Sequence, residues 1–427
     1  MKRYLLLSGL FIITLIISNG LADVSGSPSD ANAPLLLREY LVYAALNNAG
    51  LKAAFEEWKA ALEQIPQAKA LPDPQFTYGR FIREMETRDK FSIAQMFPWF
   101  GKIEAGTDAA AAQAKAAQKR YETEKLKLFW QVKDAFYEYL YLASAVKIAK
   151  DNLALLKHLE EVTLTRYMAA AGTHPDVIRT QVELANLENT LTSLEELRKP
   201  IVARLNAVLN RQSAEMLPWP EKEKFTPLTL ERQKIAALLK QSNPELAAIE
   251  FEVSAAQNMV ELAQKKFYPD IEVGVEFENS SPMAAIDRDP VMLMFSINLP
   301  VWRESYKAAE RQAKSIVLKT QQHRTQAENT LIAQAEQALY DFEDSNRRIK
   351  LYGNILLPKA EELLQASETA YQAGTIDFLS LIDAQRMLLE FQLEYERAVT
   401  DNQQKLAELE MLVGAKLSAA VEEPPAE

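Results

Sequence analysis

In the run Ile271-Glu272-Val273-Gly274-Val275-Glu276-Phe277-Glu278, three glutamates share one face of an extended strand, while Ile, Val, Val and Phe share the other. Carboxylates so placed either line an aqueous lumen and favour cations, or form the solvated face of a sheet. Glu272, Glu276 and Glu278 are therefore candidate lumen residues. Other reactive chemistry is sparse. The 427 residues contain no Cys and only three His, which removes thiolate nucleophiles, disulfides, zinc-cysteine and iron–sulfur sites and any lipid-modified cysteine. No glycine-rich phosphate loop or HExxH stretch occurs, and most acidic residues are spread at helical spacing rather than converging. The sequence points away from an enzyme, and no catalytic residue, cofactor or metal site is expected. Met292 and Met294 alternate on a second strand-like run, where packing is the default reading. At Gly172-Thr173-His174-Pro175-Asp176, His174 reads as a loop residue, and Thr173 or Asp176 as the cap of a following helix. With 48 Lys plus Arg against 59 Asp plus Glu, the formal charge of −11 disfavours a nucleic-acid surface.

The elements that must carry these residues are helical. Twelve Gly and 19 Pro are few for this length, and 48% hydrophobic with 9% aromatic content leaves Ala and Leu to supply much of the apolar surface. Residues 1–22 combine Lys2-Arg3, an apolar run and a small-residue end at Ala22, the pattern of a secretory signal peptide; a membrane anchor is the alternative. No later segment holds 18 unbroken apolar residues. A membrane location would therefore need something other than hydrophobic helices.

The remainder reads as two tandem copies of one plan, 23–215 and 216–415, followed by a flexible tail, 416–427. Pro72-Asp73 answers Pro269-Asp270, and Pro98 answers Pro300. Tyr167 and Gln181 answer Tyr371 and Gln385. Each copy predicts a leading helical segment (36–70, 231–268), two strands (about 74–83 and 89–98, then 270–279 and 290–300), a very long helix (102–168, 303–372) and a returning helix (176–212, 378–413). Pro200 and Pro358 predict local bends or breaks. Helices approaching 100 Å cannot belong to a compact globule. Strands with one apolar face suit a tilted bilayer crossing or a half-buried soluble sheet. Four strands cannot close a barrel, whereas three chains would supply twelve and leave no edge. Trp99, Phe100 and Trp302, just after the second strands, fit either interfacial anchoring or junction packing.

The repeat, the strand-flanking prolines, the Phe-Gly-Lys after the second strand and the segment LPKAEELLQASETAYQAG at 357–374 resemble the TolC-like outer-membrane efflux protein family. The resemblance implies a mainly α fold in which a homotrimer forms an α-helical barrel and a 12-stranded transmembrane β-barrel seated in outer-membrane lipid. It implies a passive efflux duct of a Gram-negative bacterium that meets a periplasmic adaptor (membrane fusion) protein and an inner-membrane pump of RND type. An elongated periplasmic coiled-coil scaffold is the alternative. In the family, a tyrosine, an arginine and aspartates near the second turn close the periplasmic end. The tyrosine resembles Tyr371; Ile376 stands at the arginine position, Ser380 at the first aspartate, and Asp383 at the second. The resemblance then implies closure through Ile376, Phe378 and Leu379, with Asp383 as an acidic ring. Metal cations or drugs are the expected cargo, with cations preferred.

Overall fold

The computed structural model describes residues 36–82, 87–222, 228, 230–280 and 290–417. The signal-peptide segment and most of the tail lie outside them. The element order is α1 (Leu37–Asn47), α2 (Ala49–Lys69), β1 (Gln75–Arg80), β2 (Thr87–Phe97), α3 (Lys102–Met168) and α4 (His174–Leu209), then α5 (Arg232–Ser242), α6 (Pro244–Lys265), β3 (Ile271–Ser280), β4 (Val291–Ile297), α7 (Arg303–Leu351), a π-helical turn (Tyr352–Leu356), α8 (Leu357–Gln372) and α9 (Phe378–Val413). The fold is mainly α-helical, with very long helices and one four-stranded antiparallel sheet. No helix among the described residues is long and apolar enough to cross a membrane.

The two copies are built alike down to their caps. Each leading segment is divided by an asparagine whose side chain does two jobs. Asn48 accepts from Leu51 N (2.9 Å) and donates to the Val208 carbonyl (2.8 Å). Asn243 accepts from Leu246 N (2.9 Å) and donates to the Leu412 carbonyl (2.7 Å). Each thus starts one helix and pins the returning helix beside it. The returning helices end in left-handed residues, Asn210 and Gly414. At Gly414 a Cβ would stand 2.6 Å from the Ser242 carbonyl oxygen, so the close approach of α9 to the α5–α6 junction requires glycine.

The prolines behave unequally. Pro200 lies inside α4, which continues through it without a break. Pro358 follows the π turn. That turn corrects a phase. On α7 the buried stripe Ala335, Ala338, Phe342, Ser345, Ile349 steps by three and four, and the same rule would continue through Lys359, Leu363, Ala366 and Ala370. The residues buried on α8 are Ala360, Leu364, Ser367 and Tyr371, each one position later. The wide turn absorbs one extra residue, so that both halves of the column keep an apolar face against their neighbours.

The sheet order is β1-β2-β3-β4, antiparallel throughout, leaving β1 and β4 as free edges. Registers pair Gln75 with Ala94, Phe97 with Ile271, and Glu272 with Ser296. One face is almost wholly apolar: Phe76 and Tyr78, Phe91 and Ile93, Val275 and Phe277, Leu293 and Phe295 lie in cross-strand rows. Gln95 interrupts it, with its amide donating to the Pro72 (2.7 Å) and Met96 (2.9 Å) carbonyls. The opposite face carries Thr77, Lys90, Ser92, Glu272, Glu276, Glu278, Met292, Met294 and Ser296.

Candidate functional site

Two places gather the residues singled out by sequence. The first is the polar face of the sheet. Lys90 Nζ lies 2.8 Å from Glu276 Oε1 and 2.6 Å from Glu278 Oε1. Glu272 stands between Met96 and Ser296, with no cation partner among the described residues. Among the residues whose side chains are described, this face carries three carboxylates and one ammonium. Met292 pairs across from Glu276 on the same face and is half exposed, so it is not a core methionine within the chain. At the strand exits, Trp99 stacks on Tyr268 (centroids 5.5 Å apart, planes 7° apart), a packing role, whereas Phe100 and Trp302 protrude at 81% and 80% exposure.

The second place is the far end of the long helices, where α3 turns into α4 and α8 into α9. Both turns are closed by their own backbone. Ala171 N and Gly172 N donate to the Arg166 carbonyl (2.8 and 3.0 Å). Gly374 N donates to Tyr371 O and Thr375 N to Ala370 O (both 2.9 Å), with Gly374 in the left-handed region at φ +76°. Thr173 is the N-cap of α4, and its amide donates to Asp176 Oδ2 at 3.3 Å. Asp377 is the N-cap of α9, accepting from Ser380 N (3.0 Å) and Ser380 Oγ (2.6 Å). Those two donors hold the Asp377 carboxyl below its ordinary value.

A residue from the first copy joins the two turns. Arg166, in the last turn of α3, donates to the carbonyls of Tyr371, Gln372 (2.7 Å) and Ala171 (2.9 Å), and its guanidinium carbon lies 4.7 Å from the centre of the Tyr371 ring. Two helix C-termini, each with a negative dipole end and carbonyls beyond the reach of helical donors, thus share one cation. α8 has no basic residue of its own in that turn. Sequence reasoning looked for the arginine on the second copy, found Ile376 and missed Arg166. The signal available was Arg166 next to Tyr167 in the last helical turn before Gly172.

Tyr371 and Phe378 are inside the protomer, 3% and 2% exposed, with rings 5.6 Å apart. They therefore hold the turn from within, whereas the sequence expectation gave Phe378 to the closing surface. The Tyr371 hydroxyl is buried without a hydrogen-bond partner, and burial, assisted by the charge of Asp176, pushes the phenol above its ordinary value. Ile376 packs partly buried against the same cluster, and Leu379 and Ser380 are exposed. Asp383 is exposed, with Arg386 3.6 Å away; Arg386 in turn binds Glu183 of α4 (Nε to Oε2 3.2 Å). Asp383 thus carries a cation neighbour that the expected acidic ring lacked.

No group of three or more His, Cys, Asp or Glu among the described residues could hold a metal ion. A cleft of about 680 Å³ beside α3, α6 and α7 holds Arg120, Glu252 and His323, but Arg120 and Glu252 pair with each other. The model for the outer membrane efflux protein family matches residues 41–211 and 236–415, once for each copy. The chain belongs to this family. As a family member it is a non-catalytic outer-membrane channel component of a tripartite efflux or export system, working with an adaptor and an inner-membrane pump, its helices forming a large periplasmic extension. It is 23% identical over 419 residues to the cobalt-zinc-cadmium resistance protein CzcC of Cupriavidus metallidurans, covering 92% of this chain and 94% of that one. It is 25% identical over 329 residues to the pyoverdine export outer membrane protein OpmQ of Pseudomonas aeruginosa, covering 74% of this chain and 66% of that one. Among solved structures, CusC superposes with a TM-score of 0.76 at 15% identity (92% and 96% coverage), and the open-state MtrE channel of Neisseria gonorrhoeae with 0.73 at 18% (92% and 94%).

Proposed function

We propose that three copies of this chain close a twelve-stranded barrel in outer-membrane lipid, with the polar face of the sheet as its lumen, and that the duct passes metal cations delivered by an RND-type pump. The observation that carries this reading is the separation of faces on a sheet with two free edges. In hydrocarbon an open edge and a lipid-facing polar face are both untenable, and closure by two further copies removes both problems. The ten residues of β3, tilted at about 40°, span about 25 Å, the height of the apolar band of such barrels. The three glutamates on this face and the likeness to a cobalt-zinc-cadmium resistance protein favour cations. The periplasmic tip is the gate in this reading. Ile376, Leu379 and Asp383 supply its surface, Ser380 seats the α9 cap, and Tyr371, Phe378 and Arg166 hold the turn that carries them. The first-copy tip, Gly172, Thr173 and Asp176, braces it. Phe100 and Trp302 anchor the barrel at the membrane interface, with Trp99 packed behind them.

The deciding experiment is membrane fractionation followed by planar-bilayer recording. The expected result is a heat-modifiable trimer in the outer membrane whose reversal potential in a salt gradient shows cation preference, weakened by Glu272→Gln. A soluble periplasmic species without conductance would replace the channel by a scaffold. A channel whose loss sensitises cells to organic compounds but not to divalent metals would overturn the cargo alone.

A further inference from the structure

The internal repeat fixes more than the number of strands. Asp73 corresponds to Asp270, 197 positions on, and Pro98 to Pro300, 202 positions on. The structure obeys these two spacings: the observed pair Gln75–Ala94 maps onto Glu272–Ser296, which is also observed. The β2–β3 junction therefore has a counterpart that a single chain cannot make, in which β4 of one copy meets β1 of the next. Carrying the register across, Ala94–Gly274 becomes Ser296–Thr77, and Ile93–Val275 becomes Phe295–Tyr78. The apolar row stays apolar and the polar row polar, which a one-residue slip would reverse.

The β2–β3 junction is locked below the strands. Asp270 Oδ1 accepts from Trp99 N (2.8 Å) and from Lys102 Nζ (2.6 Å), and both charged side chains are largely buried. Its counterpart Asp73 is exposed and has no ion-pair partner among the described residues. On the other side, Lys102 corresponds to Glu304, whose charge is taken by Lys307 at 2.8 Å. The neighbouring Arg303 is exposed and has no ion-pair partner among the described residues. Resting on the trimeric reading above, we infer that β1 pairs with β4 of a second copy of this chain with Thr77 opposite the partner's Ser296, and that Asp73 is closed by the partner's Arg303.

The absence of cysteine makes the register directly testable in the full chain. Paired residues on adjacent strands have Cα atoms about 4.5–5.5 Å apart, within disulfide reach, whereas a two-residue slip adds about 7 Å along the strand. Mild oxidation of Thr77→Cys/Ser296→Cys should convert most of the chain into reducible dimers and trimers. Thr77→Cys/Met294→Cys and Thr77→Cys/Asn298→Cys should stay monomeric on a denaturing gel. An intact trimer that cross-links in a shifted register, or in none of the three, overturns this register and leaves the channel reading standing. A folded chain that forms no oligomer overturns both. Asp73→Arg and Arg303→Asp should each lower the temperature at which the trimer dissociates in detergent, and the double exchange should restore it. Failure of restoration overturns the Asp73–Arg303 pair.

Discussion

Replacing Arg166 with Gln tests whether one guanidinium holds the two periplasmic turns together. The side chain makes three hydrogen bonds to carbonyls and lies against the Tyr371 ring. Hydrogen bonds from a charged donor contribute about 1.5–3 kcal/mol each, and an exposed cation–π contact about 0.5–1 kcal/mol. These terms are not independent, because they share one half-buried group, and Gln keeps one donor. A net loss of about 2–3 kcal/mol is therefore expected, confined to the docking of the α8–α9 turn on α3. At about 1.4 kcal/mol per tenfold, local opening rises about 30- to 150-fold. The amides that report it are Gly374 N and Thr375 N, bonded to Tyr371 O and Ala370 O. Hydrogen exchange with mass spectrometry on the segment 371–378 should show that acceleration. Arg166→Lys, which keeps the charge but loses the fork, should fall between. A change below about threefold at this segment, or an equal change at the distant Asn243 cap, would refute the clamp.

Three other perturbations separate the parts of the tip. Tyr371→Phe removes a buried hydroxyl that has no partner, so thermal stability should equal the native value or exceed it by up to about 1 kcal/mol; a clear loss would mean that the hydroxyl is bonded. The folded Asp377 carboxyl is held below its ordinary value of 3.8, so its stabilisation is complete above that value and is lost as pH falls through the lowered one. Protection from exchange at the start of α9, relative to the intrinsic rate, should therefore fall as pH drops below about 4 in the native chain and fall less in Asp377→Asn. Deleting Asn354 should convert the π turn to α-helix and rotate α8 by about 100°. Tyr371 would then leave Phe378, and near-ultraviolet circular dichroism together with exchange at 371–378 should report the loss; an unchanged tip would show that the π turn does not set the phase.

The columns of the fold were legible because their signals are local and long. Sixty-seven residues without Pro form α3, and the strands alternate visibly in composition. What escaped was whatever depends on a partner distant in sequence. The break at Asn48 and Asn243 is invisible as periodicity, since helices run on both sides, and only the carbonyls of Val208 and Leu412 make each asparagine a junction. Pro200 does not break α4, since Val202, Leu205 and Leu209 just after it pack in the core. The one-residue slip between α7 and α8 was hidden because a π turn leaves composition unchanged and shifts only the phase of burial.

The arginine at the tip shows why a functional position and a functional requirement are different things. The requirement comes from backbone physics: α3 and α8 both end here, their last carbonyls lack helical donors, and their dipoles place like partial charges side by side. Any donor that reaches both ends satisfies it. With Ile376 at the position where the family resemblance led an arginine to be expected, the need does not vanish. It is met from Arg166, whose counterpart in the second copy is Ala370 when Tyr167 is aligned with Tyr371. Duplication supplies two near-equivalent turns, so a charge lost from one can be carried by the other. Side chains at the tip are therefore better sought from the carbonyls they must satisfy than from the motif positions they are expected to occupy.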